Sequence, residues 1–227
     1  MSILSLPAMR FYGIDSFIDF IIFFVAMLIA YQSYNIYSLM RDKNYEYFSW
    51  AFLSISVAFL FKIIINFTFF NQIKILEANF ISAVMVEHLE LTSLINFFAT
   101  IFYRIFFLAG FLILFLIFTK TEKLEKIVLF TYLSVITVFF SIYFNFVFHF
   151  TLFLLLLFLT AYFYRNHKKI KSRNSLLVFY SFLLIFIAIF IRFFSDLHPW
   201  FYLAYEIILF LGFLVLLINH LYLKNKN

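Results

Sequence analysis

Cysteine is absent from the 227 residues, which removes disulfides, thiolate chemistry and cysteine metal sites at once. Glycine occurs three times and proline twice. Broken-helix transporters and selectivity filters depend on those residues where backbone leaves the helix, so continuous helices are expected and a small transporter is disfavoured. Charged residues are also scarce, at 12%, against about 25% in an average soluble domain. With 66% hydrophobic residues and a mean hydropathy of +1.05, that scarcity rules out a water-soluble globule. No stretch of mixed composition remains for a soluble catalytic or DNA-binding module, which needs about 50 residues or more.

What is there is apolar sequence in span-length runs, each span needing about 20 residues. The fold class that follows is all-α, a polytopic integral membrane protein forming a single transmembrane domain of seven helices. The expected spans are 17–39, 48–70, 94–118, 127–143, 146–164, 176–194 and 201–223. Residues 127–164 read almost as one apolar run, relieved only around Ser141 and Asn145. As one helix that run would reach ~57 Å, far beyond a hydrocarbon core of about 30 Å, so a tight hairpin is required inside it. Forty phenylalanines and fifteen tyrosines contribute to an aromatic content of 25%, which reflects either an A- and T-rich coding sequence or a cofactor cage.

Basic residues in the connections provide an independent count. Arg41 and Lys43 follow the first span, Lys120, Lys123 and Lys126 the third, Arg165, Lys168, Lys169, Lys171 and Arg173 the fifth, and Lys224 and Lys226 the seventh. These twelve share one side, and only Arg10 and Lys74 lie on the other. The positive-inside rule then puts the amino terminus outside and the carboxyl terminus in the cytoplasm of a multi-pass cell-membrane protein. The first 16 residues lead into a full-length span with no small-residue cleavage site, so an uncleaved first helix is expected. The long connection 71–93 carries Ile73, Leu76, Phe80, Ile81 and Val84 at helical spacing, with Glu77, Glu87 and Glu90 elsewhere, and reads as an amphipathic helix resting on the outer membrane surface or capping the bundle.

Ionisable side chains inside spans cost ~2.5–3.5 kcal/mol each near the bilayer centre, so each needs a partner or a wet cavity. Lys62 falls in the outer half of the second span, Arg104 near the middle of the third, and Asp19, Arg192 and Glu206 toward the outer ends of the first, sixth and seventh. Residues four apart share a helix face. Lys62 with Asn66, Asn96 with Thr100 and Arg104, Asn145 with His149, and Tyr202 with Glu206 make four polar stripes, all in the outer half. Two readings stay open. The groups pair with one another as interhelical glue, Glu206 taking Lys62 or Arg104, or they line a ligand pocket open to the outside. The excess of Lys62, Arg104 and Arg192 over Asp19 and Glu206 gives the pocket reading an anionic or carboxylate-bearing ligand.

Several chemistries find no support. Retinal proteins need a lysine in the last helix, and the seventh span has none. G-protein-coupled receptors carry a cysteine bridge and a last-helix proline that are missing here. His88, His149 and His198 share the outer side without a metal-ligand spacing, so no metal, cofactor or catalytic residue is assigned. Residues 165–173 read as a plain inner-leaflet anchor, the alternative being a site for anionic lipid or a partner. Trp50, Trp200, Tyr45, Tyr47 and Tyr164 read as interface anchors.

The segments YFNFVFHFTLFLLLLFLTAYFYRNHKKIKSRNSLLVFYSFLL and YEIILFLGFLVLLINHLYL resemble small, uncharacterised seven-helix membrane proteins common in archaea. Those are similar in layout to the seven-helix sensor region at the amino end of some histidine kinases, and YNIYSLMRDKNYEYFSWAFLSISVAFLFK adds to the likeness. No output domain follows the last span, so the resemblance implies a sensor or receptor that binds a ligand in its outer half and acts through a separate cytoplasmic partner. The alternative is a structural or accessory subunit of a membrane assembly. Either way the lipid bilayer is a partner and nucleic acid is not.

Overall fold

Among the described residues seven helices follow one another: α1 (Ile14–Met40), α2 (Lys43–Glu77), α3 (Ala83–Thr119), α4 (Leu124–Tyr143), α5 (Asn145–Ile170), α6 (Arg173–Arg192) and α7 (Pro199–Lys224). The computed structural model describes residues 13–77, 83–119, 124–195 and 197–224. Six of the helices are long and apolar enough to cross a membrane, and the apolar part of α4, Ile127–Tyr143, is shorter. In an apolar 18-residue stretch of each of the six spans only 28–39% of the residues are buried in the protein, so the remaining apolar surface faces the lipid bilayer of a multi-pass membrane protein.

Most helices outrun the apolar stretches that announce them. Backbone hydrogen bonds propagate a helix past the membrane boundary wherever the next residues tolerate helical dihedrals, so α5 continues through Arg165 and His167 to Ile170. Residues 71–77 likewise continue α2, and residues 83–93 open α3. The connection is therefore helical as extensions of the two spans rather than as a separate helix across the surface. Residues 78–82, and the side chains that defined its amphipathic face, lie outside the described residues. The hairpin required within 127–164 falls at Phe144, whose backbone leaves the helical region (φ −126°, ψ 88°) between α4 and α5.

Neighbouring helices pack in sequence, with α1 against α2, α2 against α3, α3 against α5, α5 against α6, α6 against α7, and α7 back against α1. The result is a closed ring of six, with α4 outside it in the groove of α3 and α5. Turns at one end are set by local chemistry. Arg41 and Lys171 close α1 and α5 in the left-handed conformation (φ 59° and 53°), each N–H donating to the carbonyl four residues back. Ser172 Oγ then caps α6 by accepting the Ser175 N–H at 3.2 Å.

Two glycines permit close approach. A Cβ at Gly110 of α3 would sit 2.5 Å from Ile55 Cγ1 and 2.8 Å from the Ala51 carbonyl oxygen of α2; one at Gly212 of α7 would sit 2.7 Å from Ile185 Cγ1 of α6. Small residues at helix crossings are the usual basis of packing in lipid, where burial of apolar surface drives nothing by itself. The core of the ring is aromatic. Phe59 of α2 meets Phe107 of α3 and Phe213 of α7 edge to face, each at 5.7 Å between centroids. Phenylalanine thus fills both the core and the lipid-facing surface, where Phe17, Phe20 and Phe139 are exposed.

Candidate functional site

Three helices contribute one charged side chain each to a single cluster. Asp19 lies in the second turn of α1, Lys62 in the distal half of α2 and Glu206 in the second turn of α7, so the antiparallel course of the ring brings them to one level. Lys62 Nζ donates to Asp19 Oδ1 at 2.7 Å and to Glu206 Oε1 and Oε2 at 2.7 and 3.0 Å. Asn66, one turn along α2, donates from Nδ2 to the other Asp19 oxygen at 3.0 Å. Asp19 and Glu206 are fully buried and Lys62 is 8% exposed. The ammonium also lies over the Phe59 and Tyr205 rings, 5.5 and 5.3 Å from their centroids.

The cluster extends through tyrosine. Arg192 of α6 lies over Tyr202 and Tyr205 of α7 at 4.9 and 5.4 Å, and the Tyr202 hydroxyl donates to Asp15 Oδ2 at 3.4 Å. Three carboxylates, Asp15, Asp19 and Glu206, therefore accompany two cations, Lys62 and Arg192, at this end of the ring. Among the described residues the balance of this cluster is acidic, because Arg104 belongs elsewhere and Asp15 joins. The anionic-ligand expectation counted Arg104 with Lys62 and Arg192, and the structure places Arg104 apart from those two.

Arg104 of α3 reaches the α4–α5 hairpin. Its Nη1 donates to the Ser141 carbonyl oxygen at 2.5 Å and to Ser141 Oγ at 3.0 Å, its Nη2 donates to Asn145 Oδ1 at 2.9 Å, and the guanidinium lies over the Phe148 ring at 5.7 Å. Arg104 thus bonds to both sides of the break at Phe144. The stripe of Asn96, Thr100 and Arg104 lines, with Ile142 of α4, an open pocket of about 260 Å³. Thr100 donates to the Asn96 carbonyl oxygen, while Asn96 Oδ1 is buried without a hydrogen-bond partner among the described residues. His149, the other half of the Asn145 stripe, also has a buried ring nitrogen, Nδ1, with no partner among the described residues.

The sequence stripes consequently resolve into two groups. Lys62, Asn66, Tyr202, Glu206 and Arg192 gather with Asp19, whereas Asn96, Thr100, Arg104 and Asn145 gather at α3 and the α4–α5 hairpin. Sequence reasoning left out Asp15, Tyr205 and Ser141. The spacing of four that exposed the other stripes also links Asp15 to Asp19, so that signal was present in α1. Among the described residues no group of three or more His, Asp or Glu is arranged to hold a metal ion. No protein-family model, curated protein or solved structure matches the chain, so the geometry alone speaks to its role.

Proposed function

We propose that the chain is a cell-membrane protein of sensor or receptor type, with its amino terminus outside and its carboxyl terminus in the cytoplasm. In this reading it binds a small carboxylate-bearing ligand in its outer half and acts through a cytoplasmic partner. The observation that carries the reading is the pocket of about 260 Å³ beside Arg104. A guanidinium has five donors in a planar fork suited to a carboxylate, and here it is committed to Ser141 and Asn145 across the hairpin. A carboxylate that takes over those donors releases α4, which packs principally on α3 and α5 and lies outside the closed ring. The grouping of basic residues in alternate connections supports the orientation. The likeness in layout to kinase sensor regions supports the sensor type.

The experiment is a ligand-induced shift in melting temperature of the purified protein in lipid nanodiscs, with acetate and benzoate as probes. Wild type is expected to shift with carboxylate, and Arg104→Met to lose the shift while Arg104→Lys retains part of it. No shift in wild type with either probe, or an equal shift in Arg104→Met, overturns the reading.

One observation favours a second reading, a structural or accessory subunit. Lys62 meets both of its carboxylates directly, at 2.7 Å each, which is the arrangement expected of interhelical glue. Stoichiometric copurification with other membrane subunits from native membranes, together with indifference to carboxylates, would select it.

A further inference from the structure

At the end of the ring opposite the cluster of Asp19, Lys62 and Glu206, α5 and α6 meet in a turn that concentrates positive charge. Arg165, Lys168, Lys169, Lys171 and Arg173 are all exposed, and the sequence has no Asp or Glu between Glu125 and Asp196. Among the described residues no carboxylate pairs with Arg165, Lys168, Lys169 or Lys171. Lys168 and Lys169 lie three and four positions beyond Arg165, so these three share one face of α5. Like charges at that spacing repel and weaken a helix, and an anion from outside the chain relieves them. The backbone adds a second cost. Lys171 closes α5 at φ 53°, a conformation that glycine adopts freely and lysine does not. A cation thus stands where glycine would relax the turn.

Depth decides which anion meets these side chains. Residues 146–164 of α5 carry no Asp, Glu, Lys or Arg and rise ~28 Å, close to the hydrocarbon thickness of about 30 Å. Arg165 therefore opens the headgroup layer. That layer is ~5–7.5 Å deep on each side, and α5 rises only ~7.5 Å from Arg165 to its last residue, Ile170, before the chain turns back into α6. The cations stay level with lipid phosphates and do not project into the water where a soluble partner would dock. Two neighbours hold the same level. Lys168 Nζ lies over the Tyr164 ring, 4.5 Å from its centroid and one turn nearer the hydrocarbon. Ile170, 58% exposed between Lys169 and Lys171, presents an apolar side chain that suits a bilayer surface better than water. His167 Nδ1 lies 3.0 Å from Ser175 Oγ and ties the ends of the two helices together.

We propose that the α5–α6 turn is a docking surface for anionic phospholipid, with Arg165, Lys168 and Lys169 taking headgroup phosphates and Lys171 adding its charge from the turn. A basic side chain near an anionic membrane surface contributes about fivefold in affinity. The surface is separate from the carboxylate reading at Arg104, which bonds Asn145 at the opposite end of α5. Failure of carboxylate binding leaves it standing. So does a reversed orientation, in which the turn meets the headgroups of the other leaflet.

The test is photolabelling of the full chain in phosphatidylcholine nanodiscs by a phosphatidylglycerol that carries a diazirine in its headgroup, with the labelled residues mapped by mass spectrometry. Labelling within 164–171 should saturate, weaken as salt is raised, and exceed that of a matching phosphatidylcholine probe by about tenfold or more. Lys168→Gln should weaken it about fivefold, and Arg165→Gln, Lys168→Gln and Lys169→Gln together by about twentyfold or more. The triple variant should melt in phosphatidylcholine at or above the wild-type temperature, because repulsion on the face is relieved. Lys171→Gly should raise that temperature while weakening the labelling, which a purely structural turn would not show. Equal labelling by the two probes, wild-type labelling in the triple variant, or displacement of the probe by inorganic phosphate overturns the proposal. A triple variant that labels as wild type yet no longer captures a soluble protein would assign the turn to a protein partner instead.

Discussion

Glu206 of α7 and Lys62 of α2, separated by 144 positions in the chain, meet at 2.7 Å in a site where the carboxylate is wholly buried. Because Asp19 shares the same ammonium, Lys62 is the hub of the contact between α1, α2 and α7. Lys62→Met should be the most damaging single change in the cluster, since it leaves two carboxylates facing each other in a low-dielectric interior. Losing one partner of a buried pair costs about 3–5 kcal/mol. Glu206→Gln should be milder, because Asp19 still holds the ammonium. The double variant should fall well short of the sum, which unfolding of the reconstituted protein in a double-mutant cycle will measure. Strict additivity would show that the two side chains do not interact energetically.

The close approach of α2 and α3 predicts that Gly110→Ala is destabilising although alanine is the better helix former. The new methyl group meets both Ile55 and the Ala51 carbonyl oxygen. Overpacking of this kind costs about 1–3 kcal/mol. Ile55→Ala in the same chain should recover part of the loss, because it removes the nearer of the two contacts. A melting temperature for Gly110→Ala at or above wild type would mean that the crossing is looser than the structure has it.

At the turn between α5 and α6, Lys171 holds a left-handed conformation that costs a non-glycine residue about 1–2 kcal/mol. Lys171→Gly is therefore expected to stabilise the protein, and Ser172→Ala, which removes the cap on α6, to destabilise it by about 1 kcal/mol. Opposite signs from adjacent residues, read by thermal unfolding, check the turn geometry independently of the rest of the bundle.

Asn145→Ala should loosen the α4–α5 hairpin without disturbing the closed ring. It removes one of the bonds that Arg104 makes across the break at Phe144. Hydrogen exchange is expected to rise in residues flanking Phe144 and to stay unchanged around Phe59 and Phe213 in the core. A uniform rise across the chain would show instead that Asn145 supports the whole fold.

Orientation is open to direct measurement because the chain has no cysteine of its own. Under the orientation proposed above, a single cysteine placed at Lys171 should resist an impermeant thiol reagent added to intact cells and react after the membrane is opened. Reaction from the outside would invert the topology, although not the packing of the helices.

Much of this architecture is determined by local sequence. Span-length apolar runs, nearly uninterrupted by glycine or proline, dictate continuous helices, and the length of 127–164 against the thickness of a bilayer dictates a break that falls at Phe144. The positions of Glu206, Lys62 and Arg104 along their spans also pointed to a partner for Glu206 in Lys62 or Arg104, and the packing selects Lys62. Which way each helix turns was not legible. In water an apolar stripe reveals the inward face, but in lipid both faces are apolar, and the long runs around Phe107 or Leu156 do not distinguish core from bilayer. Only packing decided that Arg104 turns toward Ser141 and Asn145 rather than Glu206, and that Asp15 joins the acidic cluster. Each depends on the rotation of one helix against its neighbours, which close approaches such as those at Gly110 and Gly212 set and which no single segment encodes.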